Sequence, residues 1–128
     1  MGRPLHSNED LSEAIREGFP PEVLEQLMQS AALTLKELAE SLNLSARSLQ
    51  RRRAAGRLAP FESDRVYRLA RILALGEHFL GDHDKAVRWM KRPNRALGGV
   101  APLAAIDTEL GARTVENVLG RIAFGGVS

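Results

Sequence analysis

The densest chemistry in the 128-residue chain lies in Ser45-Ala-Arg-Ser-Leu-Gln-Arg-Arg-Arg-Ala-Ala-Gly-Arg57. A guanidinium can grip guanine O6 and N7 with two hydrogen bonds, and a glutamine amide can do the same to adenine, each worth about 1–3 kcal/mol of discrimination. With Leu49 turned inward, Ser45, Ala46, Arg47, Gln50 and Arg51 share the outward face of one helix and are the base-reading candidates, with Ser48 beside them. Ser45, Arg52, Arg53 and Arg57 are expected to hold phosphates, which set register and affinity without reading sequence. The competing reading is a solvated basic helix end. Charge along the chain argues for a polyanion: residues 1–40 carry three cations against eight acids, while residues 41–71 carry eight arginines against Glu62 and Asp64.

Other chemistries find little support. Without cysteine there is no disulfide framework, thiolate metal site or thiol nucleophile. His78 and His83 stand five apart across a Gly81 break, the wrong spacing for one metal-binding face. Asp82 and Asp84 suggest a calcium loop only until Val87 occupies the position that needs glycine. Gly98-Gly99 and Gly125-Gly126 lack the Lys-Ser/Thr of a phosphate loop and read as turns, and no serine, histidine and acid form a nucleophile motif. A non-enzyme without cofactor or metal is expected. No stretch approaches the ~20 apolar residues that a bilayer needs, and Met1-Gly-Arg-Pro-Leu-His lacks a signal peptide's apolar run, so no membrane role and a cytoplasmic location are expected.

The elements that must position these residues are helices. Aromatic residues are 5% of the chain and β-branched runs are few, so the expected fold is all-α. Asn8-Glu9-Asp10 starts a short helix that stops at Gly18, and Pro20-Pro21 precedes a second with a stripe of Val23, Leu24, Leu27 and Met28. Thr34-Leu-Lys-Glu37 has the form of a capping box opening a third helix, whose inward Leu38 and Leu42 flank a small Ala39. Asn43 tolerates left-handed backbone, Leu44 returns to the core, and Ser45 caps a fourth helix running to about Ala54. This is the spacing of a helix-turn-helix. Arg52-Arg53 departs from it where the face begun at Leu49 should stay apolar: either the arginine stems pack there with their charges reaching outward, or the helix ends early. Pro60 begins a long helix through about Leu80, with Val66, Leu69, Leu73 and Phe79 on one side, and Asp82 caps the next helix, which carries Ala86, core-directed Trp89 and Met90.

Beyond Trp89 the chain must turn at Pro93-Asn94 and again at Gly98-Gly99. Pro102 suits the first turn of a short helix, Asp107-Thr108 offers a cap, and Val115, Val118, Leu119 and Ile122 form the buried face of a last helix ending at Gly125-Gly126. The order Ala86, Trp89, Pro93-Asn94, Ala96-Leu97-Gly98-Gly99, Pro102-Leu103, Asp107-Thr108-Glu109, Gly111-Ala112, Val115, Leu119, Arg121-Ile122, Phe124-Gly125 resembles the toxin-binding domain of the Xre/MbcA/ParS antitoxins. Leu49-Gln-Arg-Arg, Gly56-Arg57-Leu58 and Glu62-Ser63-Asp64-Arg65 also look like Xre antitoxins, extending the resemblance to most of residues 34–126.

The resemblance implies two functions in one chain: residues 1–80 as an Xre-like helix-turn-helix that binds DNA and dimerises, and residues 82–128 as a helical toxin-binding domain. It implies a RES-type toxin, an NAD-consuming enzyme whose active site the antitoxin's C-terminal end covers, and repression of the antitoxin's own operon. The toxin-contact candidates are Arg113, Glu116, Asn117, Gly120, Arg121, Phe124, Gly125, Gly126, Val127 and Ser128. Arg121 either pairs with a carboxylate or fills the space of a cofactor phosphate, or it merely complements the negative end of its helix. One recognition helix reads only a few base pairs, so a homodimer on a palindromic double-stranded operator is the economical arrangement. The alternatives are a helix-turn-helix regulator without a toxin partner, whose C-terminal half dimerises, and an interaction module that never touches DNA.

Overall fold

The computed structural model describes residues 8–54 and 56–125. Within them are eight α-helices and one 3-10 turn: α1 (Asn8–Glu17), α2 (Glu22–Ser30), α3 (Leu35–Ser41), α4 (Ala46–Ala54), α5 (Pro60–Leu80), α6 (His83–Lys91), the turn Arg95–Leu97, α7 (Pro102–Ala105) and α8 (Glu109–Gly125). The all-α expectation holds. No described helix is long and apolar enough to cross a membrane.

Local signals set most boundaries. The Thr34 hydroxyl accepts the Glu37 N–H at 3.1 Å while the Glu37 carboxylate accepts the Thr34 N–H at 2.9 Å, so both halves of the capping box form. Asn43 adopts φ +54°, the left-handed conformation that turns α3 toward α4. Ser45 accepts the Ser48 N–H at 3.0 Å and caps α4. Gly81, with φ +77°, closes α5, and the Asp82 carboxylate immediately accepts the Lys85 N–H at 2.8 Å to open α6. Two residues therefore reverse the chain.

Helix α5 is the spine, about 31 Å long by its 21 residues. Its buried Val66, Leu69, Ile72 and Leu73 join Leu24, Leu38 and Leu49 of α2 to α4, Met90, Leu103, Val115 and Leu119 of α6 to α8, and Leu42 and Ile106 just after α3 and α7, in one continuous core. Trp89 packs half-buried against that core, as expected of it. Beyond α6 the chain turns at Asn94, whose backbone bridges to Val100 across the Gly98-Gly99 turn. The final helix begins at Glu109, where Thr108 accepts the Gly111 N–H at 3.0 Å; Asp107 is not the capping side chain.

Candidate functional site

The structure resolves the conflict at Arg52-Arg53. Helix α4 runs to Ala54, and the Arg52 stem lies over α5 with its Nε 2.9 Å from Glu62. Glu62 is only 3% exposed, and its other work is to accept the Ala59 N–H at 2.7 Å at the start of α5. An ion in so dry a position needs a partner, and Arg52 supplies it. Arg52, expected on a phosphate, uses its Nε to hold the second helix of the motif on the spine. Arg53 pairs with Glu25 of α2, but that carboxylate is half exposed, so the pair is weak and exchangeable.

Three further arginines counted in the basic block also point inward. Arg65 donates to the carbonyls of Leu42 and Asn43, each at 3.1 Å, and clamps the turn between α3 and α4. Arg68 reaches the Ile106 carbonyl at 3.2 Å and Glu109 at 3.3 Å, while Arg71 lies 3.3 Å from Glu109 and 2.9 Å from Glu116. The polyanion footprint is consequently narrower than the charge count suggests. What faces outward on α4 and just beyond it is Ser45, Arg47, Gln50, Arg51 and Arg57, all exposed, with Ser48 half-buried between them. Ser48 takes the Ser45 hydroxyl at 2.9 Å, and Gln50 accepts from Arg53 at 3.1 Å, so the polar groups beside Arg47 and Arg51 are held in place.

The second candidate surface is α8. Ala112, Val115, Val118 and Leu119 are buried, and the opposite side carries Arg113, Asn117, Arg121 and Phe124 in solvent, with Gly120 half-exposed among them. Phe124 is 85% exposed and meets Phe79 edge to face, with ring centroids 6.1 Å apart. Arg113 lies 3.8 Å from Glu109, and Arg121 makes no ion pair among the described residues. Glu116, a contact candidate by sequence, is engaged by Arg71. Gly125 ends the described helix, and Gly126, Val127 and Ser128 lie outside the described residues. The Arg52–Glu62 pair sits at one end of α5 and the Phe79–Phe124 contact at the other, 17 residues or about 25 Å along the helix.

Sequence reading missed the ties between the two surfaces. His83 at the start of α6 directs Nδ1 to Glu77 of α5 and Nε2 to the Ser30 carbonyl of α2, the latter at 2.7 Å. Its pKa is raised, first by the hydrogen bond to Glu77 and then by the Ser30 carbonyl. Lys91 at the other end of α6 reaches the Ala32 carbonyl and lies 3.7 Å from Glu37 of α3. Ala32 has φ +53°, for which an alanine offers no local signal. No three His, Cys, Asp or Glu side chains among the described residues are grouped to hold a metal ion.

A helix-turn-helix with an outward basic helix, sharing its core with a second helical unit, defines the class. Residues 10–71 match the Antitoxin Xre-like helix-turn-helix domain, and residues 75–125 match the Antitoxin Xre/MbcA/ParS C-terminal toxin-binding domain. The chain is 36% identical to Antitoxin Xre of Photorhabdus laumondii subsp. laumondii, covering all of this chain and 88% of that one. It is 34% identical to Antitoxin Xre of Yersinia enterocolitica, over 98% of this chain and 86% of the relative, and 33% identical to that of Pseudomonas putida, over 94% and 76%. The protein belongs to the Xre family of antitoxins.

Proposed function

We propose that this antitoxin neutralises a RES-type, NAD-consuming toxin by seating the end of α8 and the residues after it over the toxin's active site, and that it represses its own operon. The observation that carries the reading is the co-existence in one chain of an exposed basic recognition helix and a C-terminal unit of the toxin-binding family whose last helix ends in a solvent-facing phenylalanine. It acts by occupation, without catalysis, cofactor or metal. In this reading Arg47, Gln50 and Arg51 address base edges, while Ser45, Ser48, Arg53 and Arg57 serve the phosphates; Arg53 can leave its weak surface pair to do so. Arg52 contributes by fixing the angle of α4. Arg113, Asn117, Gly120, Arg121 and Phe124 contact the toxin with the terminal Gly125, Gly126, Val127 and Ser128, and Glu116 holds the helix to α5. A homodimer on a palindromic operator doubles the few base pairs that one α4 covers.

Two measurements test this. Arg47→Ala combined with Arg51→Ala should abolish preference for the protein's own promoter over random duplex in a gel-shift titration, with the circular dichroism spectrum unchanged. Truncation after Ile122 should leave a folded protein that no longer rescues cells from the toxin encoded beside it. Undiminished rescue by that truncated protein overturns the assignment of the tip.

A further inference from the structure

Helix α8 contains a glycine that no packing among the described residues accounts for. Glycine inside a helix is disfavoured about fivefold relative to alanine, so each such position invites a physical reason. At Gly76 of α5 the reason is a helix crossing: a Cβ would meet the Ala86 methyl of α6 at 3.4 Å. At Gly111 it is steric, since a Cβ would lie 1.8 Å from the Ala105 carbonyl oxygen. At Gly120 a Cβ would meet nothing within 4 Å among the described residues, and no left-handed backbone requires glycine there.

Gly120 is half-exposed, on the side of α8 opposite its buried residues. Arg113, Asn117, Gly120 and Phe124 follow one another at the spacing of a single helical face, opposite the buried Ala112, Val115 and Leu119, and Leu110 and Arg121 flank them. Leu110 is 77% exposed and Phe124 85%, two large apolar groups on one outward strip about 21 Å apart along the helix. Missing side-chain bulk between them leaves the α8 backbone open to approach by another chain.

We propose that this strip is a close-contact seam on which an element of the toxin crosses α8 over Gly120, an apolar group covering Phe124 and a carboxylate meeting Arg121. This rests on the antitoxin reading and adds the mode of contact to it. The toxin is the occupant for two reasons. The strip lies inside residues 75–125, the stretch that matches a toxin-binding domain. A second copy of this chain crossing by two-fold symmetry at Gly120 would bring the two Arg121 guanidinium groups together beside the axis, which like charge opposes.

The test sets two readouts in opposite directions. Full-length protein carrying Gly120→Ala or Gly120→Leu should melt at or above the wild-type temperature, because both residues favour helix and the space is open. Titrated calorimetrically against the purified toxin, the alanine variant should bind about tenfold more weakly and the leucine variant at least a hundredfold, with binding to promoter DNA unchanged. Wild-type affinity in the leucine variant, with the wild-type protein binding normally, overturns the seam and leaves the antitoxin reading standing. A lower melting temperature in both variants also overturns it, since Gly120 would then serve the chain's own packing, and so does a change in oligomeric state with toxin affinity intact. Failure of the wild-type protein itself to bind the toxin removes the reading on which the seam rests.

Discussion

At position 52 the face begun by Leu49 calls for an apolar side chain, and the chain supplies arginine because a buried carboxylate waits across the interface at Glu62. Arg52→Ala should therefore lower stability by about 1–2 kcal/mol, the loss of a charge-assisted hydrogen bond discounted for a guanidinium that is partly in water. Arg47→Ala, with no such partner, should change it by less than about 0.5 kcal/mol; urea titration of both variants distinguishes them. His83 makes a similar argument through its proton. Both ring nitrogens face oxygen acceptors, and only the imidazolium can donate to both. Because folding raises the pKa above the ordinary 6.5, the stabilisation is complete below that value and fades as pH rises through the folded-state value. The difference in melting temperature between wild type and His83→Gln should thus be largest near pH 6 and shrink by pH 9.

Among the elements, those whose reasons are local were legible. The capping box at Thr34 and Glu37, the left-handed Asn43, the Ser45 cap, the Pro60 start and the Gly81-Asp82 reversal each declare themselves within four residues of sequence. What sequence could not disclose was the use of Arg65, Arg68 and Arg71, whose partners lie 22 to 45 residues away and exist only once α5 has met the α3–α4 turn and the first half of α8. In the chain they are indistinguishable from the outward-facing Arg47 and Arg51. The outward strip of α8 was half legible: Arg113, Asn117, Gly120, Arg121 and Phe124, expected together by sequence, do share one outward side, but the engagement of Glu116 by Arg71 and the open space around Gly120 were not read from sequence. The turn itself is testable. Asn43→Ala should cost about 1 kcal/mol, since alanine pays the steric penalty of φ +54° without asparagine's local hydrogen bonding, while Asn43→Gly should be nearly neutral in thermal melts.

On the scale of the whole molecule, four of the eight arginines of the basic block, Arg52, Arg65, Arg68 and Arg71, are tied into the fold, and those left to meet DNA lie on and just beyond α4. Arg57 and an exchangeable Arg53 give one or two arginine–phosphate contacts, so log K for promoter DNA against log salt should fall with a slope of about −1 to −2 per chain. A slope of about −7, as eight phosphate-bound arginines would give, would show that the internal pairs open on DNA. The two matched stretches meet between residues 71 and 75, in the middle of α5, and the core runs through that point without a break. A spine owned jointly by both halves leaves neither with a floor of its own. Heating should accordingly extinguish operator recognition and toxin capture at one temperature, and one proteolytic cut in α5 would disarm both at once, making the lifetime of a single helix the timer for everything the protein restrains.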